Sequence, residues 1–146
     1  MADLKVMAFD PGERVGWARA TVREDGSWDD LRHGIASLRD MAVAWDAKAH
    51  EYDVVVIETW RLRADMARQF SGSQFLPVQF IGAAKLPAWR EGLRIVTQAP
   101  AIKKLALKSA PQWLAEKLAT FPKTHDDAHD YDALLHLWQF TFKEVI

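Results

Sequence analysis

Cysteine is absent from the 146 residues, so the chain has no disulfide framework, no thiolate metal ligand and no thiol nucleophile. Glycine and proline are sparse, at 7 and 6 residues. There is no repeat, low-complexity tract or linker-like stretch, and residues 1–146 are expected to form one domain. No apolar run approaches the ~20 residues that a membrane span requires. No basic-then-apolar leader opens the chain, so a cytoplasmic location is expected and a membrane partner is not. A large excess of charge is missing as well, since the net charge is −1. Its distribution is uneven, however. Between Arg61 and Lys108 stand nine basic residues against two acids, Asp65 and Glu91, a local +7 that leaves −8 on the remainder. Such asymmetry marks either a polyanion-binding face or solvated helix faces that happen to be basic.

What is present begins with a hydrophobic content of 49%, enough for a proper core at this length. Leu4-Lys5-Val6-Met7-Ala8-Phe9-Asp10-Pro11-Gly12 reads as a buried strand that ends in a carboxylate, after which Pro-Gly turns the chain. Val54-Val55-Val56-Ile57-Glu58 repeats the arrangement. A charge at the tip of an apolar strand is costly unless water, hydrogen bonds or a metal compensate it. Two such carboxylates on neighbouring strands emerge at one sheet edge, where they repel unless a cation holds them. Taken singly, Asp10 serves equally as the organiser of the Pro-Gly turn, and Glu58 as a loop-facing strand-end charge.

Strands are expected at 4–10, 16–21 and 31–38, forming an antiparallel meander. A helix capped by Asp40 should run to about His50, followed by the 53–58 strand, whose unbroken apolar run suits a position covered on both faces. Helix is expected from about Gln74 to Arg90, with Pro77 and Pro87 near its ends, then a strand over Leu93–Thr97. Ser109 as cap and Pro111 in the first turn start a helix that ends near Ala119. The last helix should begin near Thr124, with Thr124 and Asp127 at loose capping-box spacing. In it Tyr131, Leu134, Leu135, Trp138 and Phe142 form the apolar stripe, while His129, Asp132 and His136 share another face. This order implies an α/β fold with a five-stranded mixed sheet, three antiparallel strands and then two parallel ones, and helices on both faces. The parallel joins bring the ends of the first and fourth strands to one edge.

Asp10, Glu58, His129 and Asp132 together make a set of oxygen ligands plus one imidazole, which suits Mg²⁺ or Mn²⁺. Two such ions ~4 Å apart activate a water and stabilise a leaving oxygen in phosphodiester hydrolysis, and no protein nucleophile is needed. Asp126 and Asp127 complement the dipole of the last helix. Asp130 is expected to face solvent, and His125 and His136 read as surface or core histidines. Trp60 either packs inward or stacks on a base.

The stretches Phe9-Asp10-Pro11-Gly12-Glu13-Arg14-Val15-Gly16-Trp17, Val55-Val56-Ile57-Glu58 and His129-Asp130-Tyr131-Asp132-Ala133 resemble the three acidic motifs of RuvC-type Holliday junction resolvases. Gly82, the strand over Leu93–Thr97 and Pro100-Ala101-Ile102-Lys103-Lys104 extend the resemblance, the last being similar to the family's Pro-x-x-Val-Lys-Lys segment. The resemblance implies the RNase H-like fold and crossover junction endodeoxyribonuclease activity with Mg²⁺ or Mn²⁺, two ions per site, in recombination and repair. It implies Asp10, Glu58 and Asp132 as metal-binding carboxylates and His129 in a fourth position that is Asp in many members and His in some. Asp126, Asp127 or Asp130 therefore stays open as an alternative contributor. It further implies DNA contacts from Lys103 and Lys104, and from Trp60, Arg61 and Arg63 on the loop after Glu58. The partners implied are four-way or related branched DNA and a second copy of the chain, the homodimer cutting opposing strands. The overall acidity departs from the family and fits a phage-type or otherwise divergent member.

Two rivals share part of this reading. An RNA-processing nuclease of the YqgF type would carry the same site, and substrate comparison separates the two. A non-cleaving junction-binding module would retain junction binding without hydrolysis or metal affinity. An actin-like or sugar-kinase ATPase ranks last, because the chain is too short for two lobes and has no Gly-rich phosphate loop.

Overall fold

The computed structural model describes residues 2–59, 76–121 and 129–146. Its strands are β1 (Leu4–Asp10), β2 (Arg14–Val22), β3 (Trp28–Ser37), β4 (Val54–Glu58) and β5 (Arg94–Gln98). Its helices are α1 (Leu38–Lys48), α2 (Leu76–Glu91), α3 (Ile102–Ser109), α4 (Gln112–Leu118) and α5 (His129–Glu144), with a 3₁₀ turn at Ala49–Glu51 after α1. The sheet order is β3-β2-β1-β4-β5. β1, β2 and β3 pair antiparallel, while β4 and β5 add on parallel to β1. This is the mixed sheet expected from the element order.

Side-chain parity sorts the core into two layers, because alternate residues of a strand point to opposite faces. Met7, Phe9, Val55 and Ile57 pack with Met41 and Trp45 of α1 and Phe80, Ala84 and Ala88 of α2. Val6, Ala8, Ala18, Ala20, Val22, Val54 and Val56 pack on the other face with Ala106, Leu114 and Leu118 and with Ala133, Leu134, Leu137 and Phe140 of α5. By the same parity Asp10 and Glu58, the last residues of β1 and β4, point to the α5 face. The sheet under α5 is paved with small residues, Ala8, Gly16, Ala18 and Ala20, and the helix settles close to it. From Ala133 to Thr141 every residue of α5 is buried, so this helix runs through the middle of its layer and its first turn is fixed by packing.

Several local expectations need correcting. Helix α1 starts at Leu38, and its cap is Ser37, whose hydroxyl accepts the Asp40 N–H at 3.1 Å; Asp40 lies in the first turn. Helix α2 runs through Pro87, which is buried inside it. Helix α3 has no counterpart among the expected elements, and α4 begins at Gln112 with Pro111, not Ser109, in the cap position. Phe142 of the expected apolar stripe is 45% exposed. Thr124 and Asp127, read as the start of the last helix, lie outside the described residues. Among the described residues no helix is long and apolar enough to cross a membrane.

Candidate active site

Asp10 and Glu58 stand at the carboxyl ends of adjacent parallel strands, Phe9 being in register with Ile57. That is the edge at which open α/β sheets place their ligands. The first turns of α5 cross above it. His129 Nδ1 lies 3.0 Å from Asp10 Oδ2, and Asp132, one turn further on, is bonded through its Oδ2 to Lys103 Nζ at 3.0 Å. The same ammonium is 3.4 Å from Glu58 Oε2. The Asp10 and Glu58 carboxyls are near enough to repel each other. The four residues expected as ligands, far apart along the chain, thus meet in one cluster. Asp10 is almost fully buried, while His129 and Asp132 keep about a third of their side chains open to solvent.

The electrostatics follow from this crowding. Burial, together with the charge of Glu58, pushes the Asp10 carboxyl up to about 7, against the opposing hydrogen bond from His129. Burial also pushes on Glu58, but the hydrogen bond and charge of His136 and the charge of Lys103 outweigh it, and its carboxyl falls below the ordinary range. Lys103 is half-buried; desolvation disfavours its charge, yet Glu58 and Asp132 more than compensate and raise its pKa. Two carboxylates, Glu58 and Asp132, close on one cationic nitrogen beside the buried Asp10, with the protein's own lysine in the place of the cation that the sequence pattern leads one to look for. Among the described residues no three acids or imidazoles are already arranged as a metal cage. The donor set is nonetheless hard oxygen plus one imidazole, which fits a divalent cation of the Mg²⁺ or Mn²⁺ type, and Lys103 marks where positive charge is stabilised.

Lys104 lies exposed on α3, one residue past Lys103. Trp60, Arg61, Arg63, His125, Asp126 and Asp127 lie outside the described residues. Asp130 does not face solvent: it is buried, and its Oδ2 is 2.8 Å from His33 Nδ1 on β3. It ties the start of α5 to the antiparallel side of the sheet, and among the described residues the one from α5 bonded to Asp10 is His129.

His136, read from the sequence as a surface or core histidine, is a core one with a partner in the site, and sequence reasoning overlooked Gln98. His136 is wholly buried beneath Glu58, with Nε2 at 2.5 Å from Glu58 Oε2 and Nδ1 at 2.7 Å from Gln98 Oε1. Its place on the same helical face as His129 and Asp132 was the available signal; Gln98 offered none.

No protein-family model and no curated protein sequence matches the chain. Solved structures do match. Thermus thermophilus RuvC, solved in complex with a Holliday junction substrate, aligns over 95% of this chain and 94% of its own, with a TM-score of 0.67 and 15% identity. The chain has the RuvC-type resolvase fold. The yeast mitochondrial Holliday junction resolvase shares this fold at a TM-score of 0.55 and 13% identity, over 94% of this chain and 80% of its own. Fowlpox virus resolvase, solved with its substrate Holliday junction DNA, shares it at 0.51 and 14%, over 96% and 100%. At such identities the likeness is one of fold.

Proposed function

We propose that the chain is a Mg²⁺- or Mn²⁺-dependent endonuclease that nicks four-way and related branched DNA. The observation that carries this reading is the meeting of two linked pairs at the carboxyl edge of the parallel strands, His129 bonded to Asp10 and Lys103 held between Glu58 and Asp132. Two bound ions, held by Asp10, Glu58, Asp132 and His129, would supply an activated water and charge stabilisation for the leaving 3′ oxygen. Asp10, the most buried of the four, would hold them together with Glu58 and Asp132. His129 is held by its bond to Asp10 and is placed to bind one ion or orient the water. Lys103, once freed from its two carboxylates, has a charge to offer a phosphate oxygen. Lys104 and Lys108 on α3, with Trp60, Arg61 and Arg63 soon after β4 in the sequence, are the proposed DNA contacts, so binding should weaken steeply with salt. The resolvases that share the fold support branched DNA as the substrate.

The test is a labelled synthetic four-way junction incubated with Mg²⁺ at low salt. Wild type is expected to nick it. Asp10→Asn and Glu58→Gln are expected to bind it and to cut it more slowly by a factor of roughly a thousand, the equivalent of ~4 kcal/mol of barrier. Equal cutting by the variants, or no cutting by wild type across metals and salt, would sink the proposal.

A homodimer is part of the same proposal. Val78, Gly82, Leu86 and Trp89 follow one another at helical spacing on the outer face of α2, all exposed, Leu86 and Trp89 to 65%. Large apolar side chains in a row on a surface call for a partner. Among the described residues a Cβ built on Gly82 meets nothing within 4 Å, so against them this glycine gives away helix stability of about 1 kcal/mol for no contact. A second helix crossing there would use the gap. Gly82→Leu should therefore leave the thermal stability of the monomer unchanged or raised while sedimentation shows the dimer dissociated; a dimer that survives it does not use this face.

A further inference from the structure

We propose that His136 and Gln98 form a buried strut that fixes the carboxylate of Glu58, making His136 a positioning residue of the site; the inference rests on the nuclease reading. Glu58 and Gln98 face each other across β4 and β5 in direct register, and the Thr59 N–H binds the Gln98 carbonyl at 2.8 Å. Both backbones are thereby pinned. His136 closes the loop between their side chains, bonding Glu58 Oε2 at 2.5 Å and Gln98 Oε1 at 2.7 Å. The imidazole is fully buried and both ring nitrogens are engaged, so it has no lone pair to offer an ion and is not a ligand itself.

Its chemistry is that of an orienting group. An ionised carboxylate only accepts, so Nε2 must carry a proton toward Glu58. The amide of Gln98 can present either its oxygen or its NH₂ to Nδ1, so it holds the ring in any protonation state. The contacts of both His136 and Lys103 fall on Oε2 of Glu58, which leaves Oε1 for an ion beside Asp10. An apolar residue at 136 would fill the space yet leave Oε2 without its buried donor, and the carboxylate would be free to turn. Partners behind a ligating group typically set affinity or rate by about 10–100-fold.

The experiment compares wild type with His136→Leu and His136→Gln, the glutamine amide nitrogen standing near the place of Nε2. Mn²⁺ affinity is measured calorimetrically on the DNA-free protein, beside thermal unfolding and single-turnover junction cleavage. His136→Leu is expected to bind Mn²⁺ roughly tenfold more weakly and to cut correspondingly slower, with His136→Gln recovering most of both. Damage to packing alone would lower the unfolding temperature of both variants and leave the Mn²⁺ affinity of the folded protein unchanged. Equal Mn²⁺ affinity in wild type and His136→Leu, or equal loss in Leu and Gln variants, overturns the strut. If wild type cuts junctions while all three proteins bind Mn²⁺ alike, the strut fails and the nuclease reading stands. If wild type neither binds Mn²⁺ nor cuts, both fall together.

Discussion

Alanine at Gly16 is expected to disable the site while leaving most of the fold in place. Gly16 is the cross-strand partner of Asp10, and it lies directly beneath the first turn of α5. A Cβ added there would sit 2.1 Å from the carbonyl carbon and oxygen of His129 and 2.5 Å from the Asp130 nitrogen. These are backbone atoms of a helix end and cannot rotate away as a flexible side chain would. The start of α5 must therefore lift, and with it go the 3.0 Å contact of His129 with Asp10 and the Asp132 contact with Lys103. A displacement on the order of 1 Å suffices for a hundredfold loss of rate in a positioned site, and the lost packing should lower stability by roughly 1–3 kcal/mol. The lysines of α3 belong to another element, so junction binding should persist. Circular dichroism, a melting curve and the cleavage assay check this together. Cleavage by Gly16→Ala at the wild-type rate would mean that α5 does not need to sit where the fold places it.

The same glycine shows which parts of the architecture were legible in the sequence. The motif around it marks the Asp10 turn, the Val/Ile run of 54–57 marks a central strand, and the spacing of His129, Asp132 and His136 puts them on one face. Those local patterns, with the antiparallel-then-parallel order, led to the sheet and to the four clustered residues. What escaped was tertiary. Helix α3 is only eight residues long, so the helical spacing of Ile102, Leu105 and Ala106 is too brief to stand out, and with only Ala106 buried the turn of Lys103 into the carboxylates depends on where that helix docks. Asp130 looked solvent-facing because its neighbours two residues on and one residue back point into the site. Its burial depends on His33, whose alignment follows a register shift between Arg19 and Thr21 that leaves no trace in composition. Ser37 and Asp40 are both good caps, and the choice fell to Ser37 because β3 runs directly into α1. Each miss involves a partner far away along the chain or the place where one element meets the next.

Asparagine at Asp10 should make the metal-free protein more stable at pH 8 while all but abolishing cleavage. In the unfolded chain this carboxyl ionises near 3.8; in the folded protein burial and the neighbouring Glu58 hold it at about 7. Between those values the folded state keeps a proton that the unfolded chain has released, so stability falls as pH rises from about 4 to about 7 and stays lower above. With ~1.4 kcal/mol per pKa unit, the penalty at pH 8 is of order a few kcal/mol, ~4 at most. An asparagine amide in place of the acid is neutral at every pH, nearly the same shape, and can still accept a hydrogen bond from His129, so it escapes this penalty. The melting temperature of Asp10→Asn should exceed that of wild type by roughly 5 °C or more at pH 8, the difference shrinking toward pH 5. Saturating Mg²⁺ should close the gap from the other side, raising wild type at pH 8 and leaving the variant almost unmoved. A variant no more stable than wild type at pH 8, or a gap that widens on acidification, would show that Asp10 carries no such penalty. The site folds against its own repulsion, and the charge that makes folding costly at pH 8 is the one that a divalent cation would recover on binding.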